Sequence, residues 1–266
     1  METPVALTIA GSDNSSGAGI QADLKTFSHF GVYGQTAITC VVAEVPGKVS
    51  SIQEIDLAIV HDQIALSVAH FPIRAVKTGM LYSAEIVKMV ADTLESIPRS
   101  ERPPLVVDPV MVASSGDLLL QQNAIAIYEA RLFPLAVVVT PNLPEASVLL
   151  GKQIKIKEDA HAAASELHEK FGVPFLLKGG HLGLPEAVDF LVDKRGIQSF
   201  SAEFKTGIIT HGTGCTFSAA ITANLALGFD LVQAIAIAKK YVTRAIHDSL
   251  RWSTRSGTQT ALRHFC

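Results

Sequence analysis

The sequence predicts an α/β fold: one central, mostly parallel sheet with helices on both faces and an antiparallel hairpin at one edge. Short, uninterrupted apolar runs recur along the 266 residues, as parallel strands read when both of their faces are buried. Longer segments between them carry apolar residues every three or four positions, the spacing of one helix face. Late in the chain a polar turn, Asp193-Lys194-Arg195-Gly196, separates two apolar runs, which is the pattern of strands that double back.

In chain order, the expected strands are 5–10, 37–42, 75–78, 105–107, 136–140, 175–178 and 187–192. The expected helices are 19–30, 61–69, 83–94, 158–171 and 214–227. The first helix follows a turn of small residues, and the last is rich in alanine after a glycine turn. The order reads βαβα up to the edge hairpin within 189–204. Such sheets bind ligands outside the carboxyl ends of their strands, so function is sought in the polar residues that follow each strand.

Composition narrows the function. With 22 Lys+Arg against 25 Asp+Glu the net charge is −3, and no basic field exists for a nucleic-acid backbone. Hydrophobic residues make up 48% and charged residues 18%, enough apolar surface to outweigh chain entropy, which excludes a disordered regulator. No linker-like stretch interrupts the chain, so one domain over 1–266 is expected. Cys40, Cys215 and Cys266 are too few and scattered for a disulfide framework or a zinc site. No signal or membrane-spanning segment is recognisable, so a cytoplasmic protein is expected.

After the first strand comes Gly11-Ser12-Asp13-Asn14-Ser15-Ser16-Gly17-Ala18-Gly19, whose small residues let amides approach a ligand or simply form a turn. It matches neither the dinucleotide nor the P-loop glycine pattern. Asp108-Pro109-Val110-Met111 and Thr140-Pro141-Asn142-Leu143-Pro144-Glu145 place acidic groups at two strand ends. They suit Mg²⁺, which takes oxygen ligands together with substrate phosphates. Equally, Asn142 starts a turn and Glu145 complements a helix N-terminus. Lys178, at the end of another strand, is a point charge for phosphate oxygens or a solvated lysine.

In Thr210-His211-Gly212-Thr213-Gly214-Cys215-Thr216, glycines precede a helix, and the amides of Gly212, Thr213 and Gly214 would form an anion hole for a transferred phosphoryl group. Cys215 in the first turn has its anion favoured by the same field, so it acts as a base toward an alcohol or positions it; as a buried small residue it would be inert. A phosphatase-type nucleophile would carry the cradle and an arginine after the cysteine, and Thr216-Phe217-Ser218-Ala219-Ala220 follows instead. His181 and His211 are read as structural.

Together with Gly17-Ala18-Gly19-Ile20-Gln21-Ala22-Asp23-Leu24-Lys25-Thr26, Val76-Lys77-Thr78-Gly79-Met80-Leu81 and Leu177-Lys178-Gly179-Gly180-His181, these segments resemble one family over nearly the whole chain. It is the hydroxymethylpyrimidine and phosphomethylpyrimidine kinases of thiamine biosynthesis, within the ribokinase-like superfamily. The resemblance implies transfer of phosphate from Mg-ATP to 4-amino-5-hydroxymethyl-2-methylpyrimidine and then to its monophosphate. It implies a pyrimidine pocket of Gly11, Ala18, Asp23, Glu44, Met80 and Val110. Asp108, Asn142, Glu145 and Lys178 would serve the nucleotide, with Asp108 and Glu145 on the metal. Cys215 would stand where an aspartate base is common in the superfamily, and a homodimer is implied.

Glu44-Val45-Pro46 departs from the family pattern of Gln or Glu followed by Asn-Thr, and Ser16 stands where a glycine is usual. A pyridoxal or pyridoxine kinase is therefore the alternative, since a hydroxymethyl-bearing ring of similar size would fit the same pocket. A non-catalytic sensor of the same fold is disfavoured by Lys178, Asn142, Glu145 and Cys215.

Overall fold

The computed structural model describes residues 2–111, 122–180, 186–205, 211–255 and 257–265. His181, Thr210 and Cys266 lie outside them. The strands are β1 (Val5–Asp13), β2 (Tyr33–Val45), β3 (Lys48–Glu54), β4 (Ile73–Thr78), β5 (Leu105–Val107), β6 (Ala136–Val139), β7 (Phe175–Lys178), β8 (Glu186–Asp193), β9 (Gly196–Glu203), β10 (Leu250–Thr254) and β11 (Gly257–Ala261). The helices are α1 (Gly19–His29), α2 (Leu57–His70), α3 (Ala84–Glu95), α4 (Gln122–Ile127), α5 (Leu143–Leu150), α6 (Lys157–Phe171), α7 (Thr213–Ala226) and α8 (Leu231–His247).

One nine-stranded sheet has the order β3-β2-β1-β4-β5-β6-β7-β8-β9. The strands from β2 to β7 pair in parallel, and β8 and β9 close the edge as the expected antiparallel hairpin. The chain passes from β1 to β2 on one side and then to β4 on the other. That reversal opens a crevice beyond the carboxyl end of β1.

Alternate strand residues feed opposite layers, as the period of two requires. Leu7, Ile9, Val76, Leu105, Val107, Val139, Phe175 and Leu177 join α2 through α6 on one face. Ala6, Ala75, Val106, Val138 and Leu176 meet α1, α7 and α8 on the other. Each fully buried Leu or Ile contributes roughly 1.5–3 kcal/mol relative to exposure. Ala219, Ala220 and Ala223 let α7 sit close against the sheet centre, so its first turn lies at the crevice.

Two features correct the sequence reading. The βαβα order is broken at β2 and β3, an antiparallel pair joined through Pro46 and Gly47. Gly47 has φ +83°, as the third position of a Pro-Gly type II turn requires. The stretch 44–46 is thus the start of a hairpin. In addition, α4 and α8 were not among the expected helices, and α5 starts at the helix N-terminus suggested by Asn142 and Glu145; α8 opens with a capping box in which Asp230 accepts from the Gln233 amide at 2.9 Å.

Candidate active site

The two glycine turns meet. Asp13, buried at the end of β1, accepts from the Ser15, Gly17 and Ala18 amides at 2.6, 3.2 and 2.8 Å. It also pairs with His211 Nε2 at 3.1 Å. Burial opposes charge on Asp13, but these bonds, led by His211, hold its carboxyl down at about 2. Gly212 has φ +80° and lies so close to the Gly17 carbonyl that any Cβ there would collide with it. A Cβ at Gly17 would stand 2.6 Å from His211 Cδ2. Only glycine allows this approach.

Neither helix starting here is closed by a side chain. The N-caps are Ala18 for α1 and Gly212 for α7, and neither makes a side-chain cap bond. In α7 the first helical bond runs from Thr216 N to Gly212 O at 2.9 Å, leaving the preceding amides outside the helical ladder. Cys215 lies in that first turn, half-buried, and the Gly19 amide at the start of α1 donates to its sulfur. Two positive helix ends therefore converge on one thiol.

The acidic strand ends are within reach of the same turn. Lys178 Nζ donates to Asp108 Oδ1 at 2.9 Å, and Ser218 Oγ of α7 donates to Asp108 Oδ2 at 3.0 Å. A Cβ at Gly214 would stand 3.1 Å from Lys178 Nζ and 3.7 Å from Asp108 Oδ2. Asn142 caps α5 by accepting from the Glu145 amide at 2.9 Å, while Glu145 Oε2 accepts from the Asn142 amide at 2.8 Å and Oε1 from the Met111 amide at 3.3 Å. The capping account and proximity to Lys178 hold together. Burial pushes the Glu145 carboxyl up to about 7; Lys178 opposes this and Asp108 reinforces it.

The residues suggested for an acceptor pocket are distributed unevenly. Gly11 faces Cys40 and Met80, since a Cβ there would lie 2.8 Å from Cys40 Sγ and 3.8 Å from Met80 Sδ. Thr39 Oγ1 donates to the Met80 carbonyl at 2.7 Å, tying β2 to the loop after β4. Ala18 lies on the glycine loop, and the Glu44 carboxylate joins Asp13 and His211 in a cluster whose polar atoms lie within 4.8 Å of one another. Val110 has φ +37°, a strained conformation for a β-branched residue.

Asp23 departs from the expectation. Its carboxylate is fully buried and is taken by Lys77 Nζ at 2.8 and 2.9 Å and Thr8 Oγ1 at 2.6 Å. It lies beneath the crevice and offers no exposed surface to a ligand. The thiol expectation is also corrected: burial pushes Cys215 up to about 11. Lys77 and the Gly19 amide pull it down, and Asp108 and Asp23 push it further up. In the free chain Cys215 is a neutral thiol.

The sequence reading gave no role to Asp13, Lys77 or Ser218 and took His211 as structural. Asp13 and His211 were visible only as loop residues, and Lys77 reads as one position in a buried strand. Ser16 is explained: its φ is +62°, where glycine carries no steric cost. Ser16→Gly is expected to stabilise the chain by about 1 kcal/mol, read as a higher urea midpoint at unchanged m-value; a lower midpoint would refute the strain.

A doubly wound sheet whose glycine turn opens onto a lysine and acidic strand ends defines a ribokinase-like kinase of small molecules. The chain belongs to the phosphomethylpyrimidine kinase family, whose model matches residues 13–260. The hydroxymethylpyrimidine/phosphomethylpyrimidine kinase of Rhizobium meliloti is 43% identical over 92% of this chain and 91% of its own. The thiamine biosynthesis bifunctional protein of Geobacter sulfurreducens is 45% identical over 90% of this chain, which spans 48% of that relative's length. The crystal structure of Bacillus subtilis pyridoxal kinase in an ADP complex has a TM-score of 0.87 at 37% identity, covering 98% of each chain.

Proposed function

We propose that this chain uses ATP to phosphorylate the hydroxymethyl group of 4-amino-5-hydroxymethyl-2-methylpyrimidine and then the resulting monophosphate, as a step in thiamine biosynthesis. The observation that carries the reading is Gly214, which places the turn before α7 against both Lys178 and Asp108. A γ-phosphoryl group in that corner would meet amides, an ammonium and a helix N-terminus together. Asn142 joins the nucleotide side, and Gly11, Ala18, Glu44, Met80 and Val110 surround the acceptor. Asp23 acts from below through Lys77.

Transfer forms a bond from the acceptor oxygen to the γ-phosphorus and breaks the bond to the oxygen bridging the β- and γ-phosphates. In a loose transition state the hydroxyl proton leaves late. Cys215 orients the hydroxyl and takes its proton as thiolate, a minority species in the free chain that Lys77 and the Gly19 amide favour. Lys178 and the turn amides stabilise charge on the phosphoryl oxygens. Asp108 and Glu145 fit Mg²⁺, because both are buried, oxygen-only donors, and burial together with the neighbouring Asp108 charge, only partly offset by Lys178, holds Glu145 at about 7. When bound, that cation neutralises phosphate charge.

The reading includes one domain over residues 1–266, supported by the single large sheet, and a homodimer, supported by Val41, Val45 and Val49 exposed on the β2–β3 edge. No helix among the described residues is long and apolar enough to cross a membrane, and the free thiols of Cys40 and Cys215 suit a reducing cytoplasm. Pyridoxal phosphorylation is the second reading, favoured by the TM-score of 0.87 to a pyridoxal kinase. Purified protein with Mg-ATP is expected to convert the pyrimidine alcohol and its monophosphate at higher kcat/KM than pyridoxal, and to sediment as a dimer. Absence of both pyrimidine products overturns the main reading, and a larger kcat/KM for pyridoxal favours the second.

A further inference from the structure

The Asp13–His211 pair has no part in the chemistry above, yet it joins two segments that meet at Cys215. Asp13 binds the loop behind it through the Ser15, Gly17 and Ala18 amides at 2.6, 3.2 and 2.8 Å. The same Oδ2 that accepts from the Gly17 and Ala18 amides also takes Ser15 Oγ at 3.0 Å and holds His211 at 3.1 Å, at the head of the turn that leads into α7. The side chains are only 3% and 14% exposed, for Asp13 and His211 respectively, so the bond is largely shielded from competing water.

We infer that the Asp13–His211 pair is a clamp that positions Cys215: it locks the loop after β1 onto the turn before α7 and so seats the Gly19 amide on the Cys215 sulfur. Asp13 and His211 are thus positioning residues. The inference rests on the proposed role of Cys215 in the reaction and adds what sets that residue in place.

The coupling between the two segments runs through the backbone. Gly19 begins α1 directly after the Asp13-bound residues, and Cys215 lies in the turn that follows His211. The contacts at Gly17 and Gly212 leave no room for sliding, because a Cβ at either would strike the opposite segment. Steric contact alone resists compression; it does not resist separation. The charged hydrogen bond supplies the attraction.

His211 is favoured as imidazolium first by its bond to Asp13, with further support from the charges of Asp13 and Glu44, while burial opposes it. Lys25, whose Nζ donates to the Ser16 carbonyl at 2.8 Å, lies on the loop side of the pair. These are the charged groups facing the clamp: Asp13 from β1, Glu44 from β2 and Lys25 from α1.

The test is an ultraviolet thiolate titration, taken as the difference between each protein and the same protein carrying Cys215→Ser, together with steady-state kinetics on the pyrimidine alcohol. In His211→Ala the Cys215 titration is expected to move up by about one pH unit, because a donor to the anion is lost. Its kcat is expected to fall about tenfold with acceptor KM nearly unchanged. His211→Gln, whose amide still donates to Asp13, is expected to restore most of both. If His211→Ala does not fold, Asp13→Asn, which keeps one carbonyl for part of the loop amides and removes the charge, reads the same titration.

An unmoved titration in the folded variant, or failure of glutamine to restore it, overturns the clamp. If Cys215→Ser itself leaves kcat unchanged, the underlying assignment of Cys215 fails instead, and the two failures are distinguished.

Discussion

The Cys215→Ala protein is expected to fold normally and turn over about 10²–10⁴-fold more slowly than the unaltered chain, the range for losing one positioned proton-transfer group. The acceptor KM is expected to change little, because in the proposed reaction the thiol would meet the reacting hydroxyl rather than the ring. Folding should survive, since alanine favours the helix already rich in Ala219, Ala220 and Ala223. The expected loss exceeds that of any pocket residue because two helix N-termini and Lys77 act at this one atom. Stopped-flow measurement of the first turnover separates chemistry from product release. An unchanged first-turnover rate would remove Cys215 from the mechanism and leave the anion hole in question only through its own residues.

Asp23→Ala is expected to cost about 3–5 kcal/mol of stability, because it leaves the Lys77 ammonium buried without its partner. Both side chains are 0% exposed and the pair is 2.8 Å apart, so water cannot replace the carboxylate. Against a total stability of about 5–15 kcal/mol the loss is large. Replacing both residues, as Asp23→Leu with Lys77→Met, removes the unpaired charge and is expected to recover most of the stability. It also removes the positive charge that favours the Cys215 thiolate, so turnover stays low while folding returns. Urea unfolding of the three proteins checks this; a loss below about 1 kcal/mol in Asp23→Ala would mean that Lys77 finds another partner or gives up its proton.

Most of the sheet was legible because the strands announce themselves twice. Leu105-Val106-Val107 and Phe175-Leu176-Leu177 are continuous apolar runs, and in the fold their alternate residues enter opposite cores. The hairpin of β8 and β9 was legible from its polar turn. β3 was not, because its residues are largely exposed and carry no core-facing alternation to read. Its signal is the Pro46-Gly47 turn, which directly follows the start of the Glu44-Val45-Pro46 departure from the family pattern. α5 is short, and its Asn142 and Glu145 cap a helix while standing beside Lys178; sequence could not reveal that one pair satisfies both descriptions.

At the site, Asp108, Lys178 and the Gly212–Cys215 turn were legible by one rule: polar residues after buried parallel strands share a crevice. Their local identity and their side of the sheet follow from the chain itself. The Asp13–His211 bond spans 198 positions and the Lys77–Asp23 bond 54, and no local pattern pairs them. The sequence by itself determined where strands end and which chemical groups stand there, because hydrophobic periodicity is a property of neighbours along the chain. Only the tertiary structure decided which carboxylates are taken by partners and that burial moves the Cys215 thiol up to about 11 rather than down, because desolvation and Coulomb attraction depend on distances through space.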